Sequence, residues 1–146
     1  MAFGGYSMAK IVLIACARGK RVYSAKAGDL YTSRLFQFNL RYARSLRPDS
    51  IFILSAKHGL IPSDEIIAPY NVTLNKMPVK ERRAWAEKVV RQLDRRADLL
   101  NDEFVILAGV RYREFLIPHL RRYNMPLEGM PIGKQLQWLK RRIEDV

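Results

Sequence analysis

The stretch of residues 51–70 reads IFILSAKHGLIPSDEIIAPY and contains the pattern from which the fold is predicted. Its first four residues, Ile51–Leu54, have the length and the β-branched and aromatic content of a buried strand. A polar turn follows, with the residues Ser55, Lys57, His58 and Gly59. Beyond it, a long polar loop is stiffened by Pro62 and Pro69. Such loops often carry function, so the stretch predicts a central strand and a site beside it.

The same pattern of an apolar strand and a polar turn occurs twice more. Lys10–Ala15 is a largely apolar run suited to burial on both faces of a parallel sheet, and the cationic turn CARGKR follows it at residues 16–21. Phe104–Ala108 is the third run, and it breaks at residues 109–112, GVRY. Because helical patterns separate the three strands, we expect right-handed crossovers between parallel strands.

Two of these helical patterns are long. Ser33 is a suitable N-cap for a first helix that is expected to run to about Leu46 and to have a basic outer side. Pro78 is expected to open the longest helix at its first position. The apolar residues of that helix predict a buried face that includes Leu100, and its charged residues, Arg82 among them, predict a solvated face.

The rest of the chain completes the predicted architecture. A helix is expected to run from the third break towards Tyr123, and Gly133–Ile143 has the pattern of a closing amphipathic helix. The sequence thus predicts an α/β fold of three layers, α/β/α, with a small, mainly parallel sheet and Rossmann-like crossovers. We expect a single domain over residues 10–146 and a flexible leader at residues 1–9, because no shift in composition marks a second domain.

Composition argues against several classes of protein. The 146 residues include no apolar run long enough to span a bilayer and no signal-peptide pattern. Cys16 is the only cysteine, which rules out an internal disulfide framework and favours a reducing, cytoplasmic location. The net charge is +12, and Lys10–Arg47 contributes nine basic residues against one acidic residue. This clustering favours a polyanionic partner; a merely solubilising surface is the alternative.

The three polar turns are expected to meet at one edge of the sheet. In a parallel sheet all strands end at the same edge, and open α/β sheets bind ligands there. Side chains of the types found in these turns suit an anionic, hydrogen-bonding ligand such as a nucleotide. The candidate catalytic residues are Lys57, His58 and Ser55. The candidate nucleotide- or phosphate-binding residues are Cys16, Arg18, Lys20, Arg21, Tyr31, Ser33, Gly59, Tyr70, Gly109 and Tyr112.

Several of these candidates also have a plain structural interpretation. Tyrosines such as Tyr31, Tyr70 and Tyr112 are as often half-buried packing residues whose hydroxyl is hydrogen-bonded. A lone histidine such as His58 is more often structural than catalytic, and Cys16 is by default a small core residue. The histidines and the cysteine show no ligand spacing, so the sequence predicts no metal site and no cofactor.

Five blocks of the chain resemble, in order, an uncharacterised bacterial, archaeal and phage family with C-S-K-K-K, A-D-L-Y-x-S, L-S-A-K-x-G-L and P-Y-D-x-T-L blocks. The order also resembles that of the YaaA family of peroxide-stress proteins, which have D-V-Y-T-G and L-S-G-x-Y-G-V-L…P-Y segments. Together the blocks cover roughly residues 10–112. In this chain they read CARGK (16–20), GDLYTS (28–33), LSAKHGLI (54–61), PYNVTL (69–74) and LAGVRY (107–112).

The resemblance implies a cytoplasmic α/β protein that associates with DNA, since YaaA proteins are described as binding DNA and limiting oxidative damage to it. Two departures are visible: Ala17 stands where the uncharacterised family tends to have Ser, and the chain is much shorter than YaaA proteins. The lysine-rich turn and the Y-x-S step are also similar, more faintly, to the core domain of archaeosine synthase, which acts on a modified base in tRNA. Both resemblances point to nucleobases.

Three hypotheses about function follow. The first is a nucleic-acid-associated protein, with DNA favoured over RNA, that holds a nucleotide or base in a pocket at the strand ends. If it is an enzyme, base modification or glycosidic-bond chemistry is the natural class, with Lys57 or His58 as the acid–base or electrostatic group. The second is a non-catalytic DNA-binding stress-protection protein of the YaaA type. The third is a small-nucleotide enzyme or sensor whose basic surface is incidental. No membrane partner is expected.

Overall fold

Strands and helices alternate along the chain, as the sequence pattern predicts. The computed structural model describes residues 8–15 and 19–144. The strands are β1 (Lys10–Ala15), β2 (Ala25–Lys26), β3 (Ser50–Ser55), β4 (Gly59–Pro62), β5 (Ile66–Ile67), β6 (Glu103–Leu107) and β7 (Arg122–Asn124). The helices are α1 (Ala27–Leu30), α2 (Arg34–Ser45), α3 (Val79–Asp94), α4 (Val110–Arg113) and α5 (Ile132–Glu144), with short 3-10 helices at Leu74–Lys76 and Ile117–His119.

A five-stranded sheet with the strand order β4-β3-β1-β6-β7 forms the centre of the fold. β1 pairs in parallel with β3 and β6, and β7 adds in parallel to β6. β4 is antiparallel to β3 at one side, and β2 and β5 form a separate antiparallel pair. The predicted small, mainly parallel sheet is therefore confirmed.

The central strands are buried on both faces because successive side chains point to opposite layers. In β1, Ile11 and Leu13 pack into the core that α3 covers, whereas Val12 and Ile14 pack into the core that α2 and α5 cover. All four side chains are at most 2% exposed. The predicted α/β/α layering is thus confirmed, and the turns that follow the strands are left at the rim of the sheet.

Local sequence signals fix the ends of α2. The Ser33 hydroxyl caps its first turn by accepting a hydrogen bond from the backbone N–H of Phe36 at 3.1 Å. The helix ends at Ser45, and Arg47 takes a left-handed backbone with a φ of 50° just before Pro48. A proline disfavours helical backbone in the residue before it, so the helix does not continue. The predicted cap is confirmed, and the helix ends one residue short of Leu46.

The chain after β3 differs from the prediction. No long polar loop follows the strand; residues 56–58 make a tight turn, and β4 returns along β3 with Gly59 opposite Ser55 and Pro62 opposite Phe52. Leu60 and Ile61 are buried in this hairpin. Their apolar side chains gain more from packing beside β3 than a solvated loop allows, which is why the segment folds back.

Three predictions about helices are wrong. Arg82 is not on a solvated face; its side chain is 6% exposed, and its Nε lies 3.2 Å from Oε1 of Glu114. α3 stops before Leu100, which is 61% exposed. The helix expected to run towards Tyr123 is a single turn, α4, followed by a 3-10 turn, and Tyr123 itself lies in β7. The helical spacing of apolar residues did not reveal the burial of Arg82, the end of α3 or the shortness of α4.

The described part of the chain includes no helix that is long and apolar enough to cross a membrane. Residues 1–7 of the predicted leader lie outside the described residues. Ala9, also assigned to that leader, donates its backbone N–H to Oδ1 of Asp102 at 2.9 Å. The backbone at this point is therefore tied to the loop before β6.

Candidate functional site

The carboxyl ends of β1, β3 and β6 lie side by side because the three strands are parallel neighbours. The turn after β3 carries Lys57 and His58, and the break after β6 carries Gly109. The candidates Cys16 and Arg18, in the turn after β1, lie outside the described residues. Two arrangements of side chains form at this edge, one where β1 and β3 end and one where β1 and β6 end.

The first arrangement is a set of five residues that we call the tyrosine cluster: Lys20, Tyr31, Ser55, His58 and Tyr70. The hydroxyls of Tyr31 and Tyr70 are hydrogen-bonded to each other, and Ser55 Oγ donates to the Tyr70 hydroxyl at 2.8 Å. The Lys20 Nζ lies 4.7 Å from the ring centroid of Tyr70 and 5.7 Å from that of Tyr31. The His58 ring meets the Tyr70 ring edge-on, with centroids 5.5 Å apart. Candidates from separate sequence blocks thus come together.

The backbone fixes the position of Lys20 in this cluster. Lys20 forms an isolated antiparallel bridge with Tyr31, and the backbone N–H of Thr32 donates to the Gly19 carbonyl at 2.9 Å. Its ammonium lies over aromatic faces, which attract a cation without neutralising it. Within residues 8–15 and 19–144, Lys20 makes no ion pair. Its charge is therefore available to an anion.

The Ser55 hydroxyl is fully used by the protein. Its oxygen accepts hydrogen bonds from the backbone N–H groups of Lys57 at 3.3 Å and His58 at 3.1 Å, while its O–H donates a hydrogen bond to the Tyr70 hydroxyl. A hydroxyl has one donor and two acceptor positions, so all three are occupied. The carbonyl of Ser55 also accepts from Nε1 of Trp85 at 2.8 Å. These bonds shape the turn and favour a structural role for Ser55 over a catalytic one.

His58 is partly buried, and burial is the main cause that lowers the pKa of its imidazole below the ordinary 6.5. The positive charges of Lys57 and Lys88 lower the pKa further, and Glu65 acts in the opposite direction. A neutral imidazole at neutral pH offers an acceptor nitrogen or a base. Lys57 is exposed at the tip of the same turn. Of the predicted catalytic residues, His58 therefore has the setting best suited to proton transfer.

Gly59 allows the turn to be clamped by α3. Its φ is +76°, and a Cβ at this position would overlap the side-chain oxygen of Gln92. Gln92 accepts a hydrogen bond from the backbone N–H of Leu60 at 2.8 Å and donates to the carbonyl of His58 at 3.2 Å. The glycine is thus required by the backbone conformation and by the close approach of Gln92. The sequence analysis missed Gln92, because nothing in its helical position indicates this contact.

The second arrangement is a groove of about 510 Å³ between the ends of β1 and β6, which we call the switch-point groove. The connection from β1 leads towards β3, and the connection from β6 leads towards β7 on the other side. Such a point, where neighbouring connections leave in opposite directions, is where open α/β sheets bind ligands. Its polar lining includes Asn39, Asn75, Arg111, Glu128 and Gln135.

Gly109 and Tyr112 both line this groove, in different ways. The Tyr112 ring is buried, packs edge-on against Trp85 with centroids 5.7 Å apart, and its hydroxyl accepts from the backbone N–H of Leu74 at 3.4 Å. A Cβ on Gly109 would meet nothing within 4 Å. The missing side chain at Gly109 therefore leaves space open in the groove, while Tyr112 supports one of its walls.

A third feature lies beside Tyr31, on the outer side of α2, and we call it the arginine hollow. Arg21, Arg41 and Arg44 line a concavity of about 210 Å³ together with Asp29. The Nε of Arg21 donates to the backbone carbonyl of Asp29 at 2.8 Å. No carboxylate of the described chain lies within ion-pair distance of these three guanidinium groups. The predicted phosphate ligand Arg21 thus has two cationic neighbours, whereas Ser33 is engaged in capping α2.

The sequence of the chain was compared with known families, curated proteins and solved structures. The sequence profile described as "Family of unknown function (DUF6884)" matches residues 11–141, from β1 through most of α5. The chain belongs to the DUF6884 family. This DUF6884 chain is also 29% identical over 150 residues to "Uncharacterized protein YfjM" of Bacillus subtilis (strain 168), with 94% of this chain and 97% of that protein covered. No solved structure matches the chain.

The DUF6884 match includes all three features. The tyrosine cluster, the switch-point groove and the arginine hollow all lie between residues 11 and 141. Among the residues placed by the structure, no group of three or more His, Cys, Asp or Glu side chains could hold a metal ion. The resemblance to YaaA proteins stays a prediction, because neither DUF6884 nor YfjM comes with an activity.

Sequence reasoning overlooked Asn39, although a signal for it exists. Phe36, Leu40 and Ala43 mark the apolar stripe of α2, and Asn39 lies on the same stripe, three residues after Phe36. A polar residue in a buried stripe is unusual and informative. The gathering of Arg21, Arg41 and Arg44 around one concavity had no such signal, because Arg21 is 20 or more residues away from the other two in the sequence.

Proposed function

We propose that this protein binds nucleic acid, DNA in preference to RNA, and holds one nucleotide at the carboxyl edge of its sheet. The arginine hollow carries the proposal, because Arg21, Arg41 and Arg44 gather three guanidinium groups with no carboxylate ion-pair partner among the described residues. Guanidinium groups match phosphate oxygens in geometry and charge. The hollow also includes Tyr31, so a phosphate bound there adjoins the tyrosine cluster.

Two further observations support a polynucleotide. The net charge of +12 favours binding that releases counterions from a phosphate backbone. In the tyrosine cluster, Lys20 and His58 offer a cation and a neutral imidazole beside the hollow, where a sugar or a neighbouring phosphate would lie. The resemblance to YaaA proteins agrees with DNA as the partner.

Chemistry on a nucleobase, either base modification or glycosidic-bond cleavage, extends this proposal. His58 is the preferred acid–base group, because its lowered pKa keeps a base available at neutral pH. Lys57 supplies a positive charge at the exposed tip of the same turn. Ser55 is the weakest of the three candidates, since its hydroxyl is fully hydrogen-bonded. A base inside a duplex has to be flipped out to reach this edge.

Fluorescence anisotropy with duplex DNA, single-stranded DNA and tRNA across a salt series tests the proposal. The test variant is Arg41→Ala/Arg44→Ala, and the matched control is Arg91→Ala/Arg95→Ala, which removes the same charge from exposed positions on and just after α3. We expect the test variant to lower the slope of log K against log salt by about 2, because each lost phosphate contact lowers it by about 1. The control should leave the slope nearly unchanged.

Equal slopes for the two double variants would exclude the arginine hollow as the phosphate site. The second candidate function is a small-nucleotide enzyme or sensor, and the size of the switch-point groove favours it, since about 510 Å³ accommodates a free nucleotide. That function predicts nucleotide binding with a weak salt dependence and no competition from long DNA. A purely non-catalytic DNA-binding protein predicts that Lys57→Ala and His58→Ala change nothing.

A further inference from the structure

The switch-point groove is bordered by a buried polar side chain that the described protein does not satisfy. Asn39 is 5% exposed and lies on the inner stripe of α2, among apolar core residues. Its Oδ1 is buried and has no hydrogen-bond partner in the described structure. Buried polar atoms are nearly always paired in native proteins, so an unpaired amide oxygen on a side chain that lines a groove points to a partner from outside the described residues.

The surroundings of Asn39 suit a flat, apolar ring with a polar edge. The groove that Asn39 lines also has apolar walls, which include Leu35, Phe36, Leu127, Met130 and Ile132. The terminal torsion of an asparagine side chain is soft, so the amide can turn towards a ligand in the groove. Gly109 leaves the adjoining space open, because no atom lies within 4 Å of where its Cβ would be.

A cation completes the site at its outer side. Arg111 lines the groove, is exposed, and has no ion-pair partner in residues 8–15 and 19–144. Its neighbour Arg113 is different, because it donates to the Ala108 carbonyl at 3.2 Å and lies 3.9 Å from Glu128. Arg111 is therefore the arginine of α4 that is available to a phosphate.

We propose that the switch-point groove binds a nucleobase, with the Asn39 amide paired to an adjacent donor and acceptor on the base edge and Arg111 on the phosphate. An amide offers one acceptor and one donor side by side, and it forms such bidentate pairs with bases. The inference rests on the proposed function for its ligand class. It differs from that function in placing the base between β1 and β6, away from the tyrosine cluster.

Calorimetric titration with AMP, GMP, CMP and UMP, and with ribose 5-phosphate as the probe without a base, tests the inference. The wild type should bind at least one of the nucleotides about tenfold or more tightly than ribose 5-phosphate. Asn39→Leu should remove this difference, because the base edge loses its partner. The same variant should melt at or above the wild-type temperature, since an apolar side chain replaces a buried amide whose oxygen is unpaired in the described structure. A merely structural asparagine would instead give a lower Tm.

Arg111→Ala separates the phosphate contact from the base contact. It should weaken the binding of the nucleotides and of ribose 5-phosphate by the same factor, about tenfold, and keep the preference for a base. Arg121→Ala, an exposed arginine just before β7 and at the opposite edge of the sheet, is the control and should change neither. If Asn39→Leu fails to fold, Gly109→Phe replaces it, because a ring there should fill the groove and block the base.

Equal affinity of the wild type for ribose 5-phosphate and for all four nucleotides overturns the inference. Unchanged base preference in Asn39→Leu overturns it as well. Both results leave the proposed function intact if polynucleotides still bind through the arginine hollow. Conversely, base-dependent nucleotide binding without any polynucleotide binding supports the groove and overturns the proposed polymer partner.

Discussion

The two edges of the central sheet use their polar side chains in opposite ways. At the amino edge, the Asp102 carboxylate accepts hydrogen bonds from the backbone N–H groups of Ala9 at 2.9 Å and Asp98 at 2.8 Å. Asp49 Oδ2 accepts from the backbone N–H of Lys10 at 2.7 Å. The acidic side chains here tie the start of β1 to the segments that lead into β3 and β6.

At the carboxyl edge, two cationic side chains and one amide oxygen have no ion-pair or hydrogen-bond partner of opposite type among the described residues. Lys20 lies over two phenol rings, Arg111 is exposed, and Asn39 keeps an unpaired amide oxygen within the described residues. The difference leads to the hypothesis that stability and binding are separated by position along the same strands. Substitutions at the amino edge should therefore lower stability, and many at the carboxyl edge should change binding first.

The largest expected effect on stability comes from Asp102→Ala. Two partly buried backbone N–H groups lose their acceptor, at about 1–3 kcal/mol each, so we expect the free energy of unfolding to fall by about 3 kcal/mol. Urea denaturation measures it, and Asp94→Ala, an exposed carboxylate at the end of α3, serves as the control. Polynucleotide affinity should be unchanged in the folded variant. A stability loss no larger than that of Asp94→Ala would contradict the structural role of the amino edge.

Gly59→Ala should have the next largest effect, about 2 kcal/mol. The left-handed backbone costs an alanine about 1–2 kcal/mol, and the new methyl group displaces Gln92 from Leu60. Gly133→Ala is the matched control, because a Cβ there meets nothing within 4 Å and an alanine favours the helix α5. Thermal unfolding of both variants gives the comparison. If the two substitutions shift Tm equally, the contact of Gln92 with the hairpin turn does not stabilise the protein.

Tyr70→Phe should lower the free energy of unfolding by about 1 kcal/mol. The hydroxyls of Tyr31 and Ser55 both lose a partner, although neither is a charged group. Tyr123→Phe, on an exposed position of β7, provides a control that removes a hydroxyl without known partners in the described structure. Because Ser55 also holds the turn with His58, Tyr70→Phe should weaken ligand binding at the tyrosine cluster as well. Identical unfolding curves for both variants would show that the hydroxyl network adds nothing.

The smallest expected effect is on the pH dependence of stability. The folded protein holds the His58 pKa below 6.5, so below about pH 6.5 the unfolded chain binds a proton that the folded state does not. The free energy of unfolding should therefore fall as the pH drops through this range, and His58→Gln should make the fall shallower. His119→Gln, an exposed histidine, is the control. The measurement is urea denaturation at several pH values; parallel curves for wild type and His58→Gln would contradict the prediction.

Most of the fold was predictable from sequence because its signals are local. The apolar runs of β1, β3 and β6 and the cap at Ser33 each depend only on residues close together in the sequence. The hairpin at Leu60 and Ile61 was not predictable in this way, since prolines and charges around a short apolar run resemble a loop. Arg82 shows the same limit, because its burial depends on Glu114, 32 residues later in the chain.

The candidate site was only partly predictable. Sequence order brought the tyrosines and Lys20 to one edge, because a parallel sheet gathers its strand ends whatever the details. The sequence could not show that the Ser55 hydroxyl is fully hydrogen-bonded within the protein. One of its bonds is to the hydroxyl of Tyr70, which lies 15 residues later in the chain. Nor could the sequence place Arg21 in the same hollow as Arg41 and Arg44, because residues that are far apart in the sequence share this hollow only after folding.

The lengths of the two outermost strands have a consequence for self-association. On one side the sheet ends in β7, which has 3 residues, all exposed, and begins with Arg122; on the other it ends in β4, which has 4 residues and closes with Pro62. A long flat outer strand invites pairing with another copy of the chain, whereas short strands bearing a positive charge or a proline discourage it. The central strands β1, β3 and β6 are largely apolar and free of proline, as amyloid-forming segments are, and the short outer strands thereby separate them from neighbouring molecules.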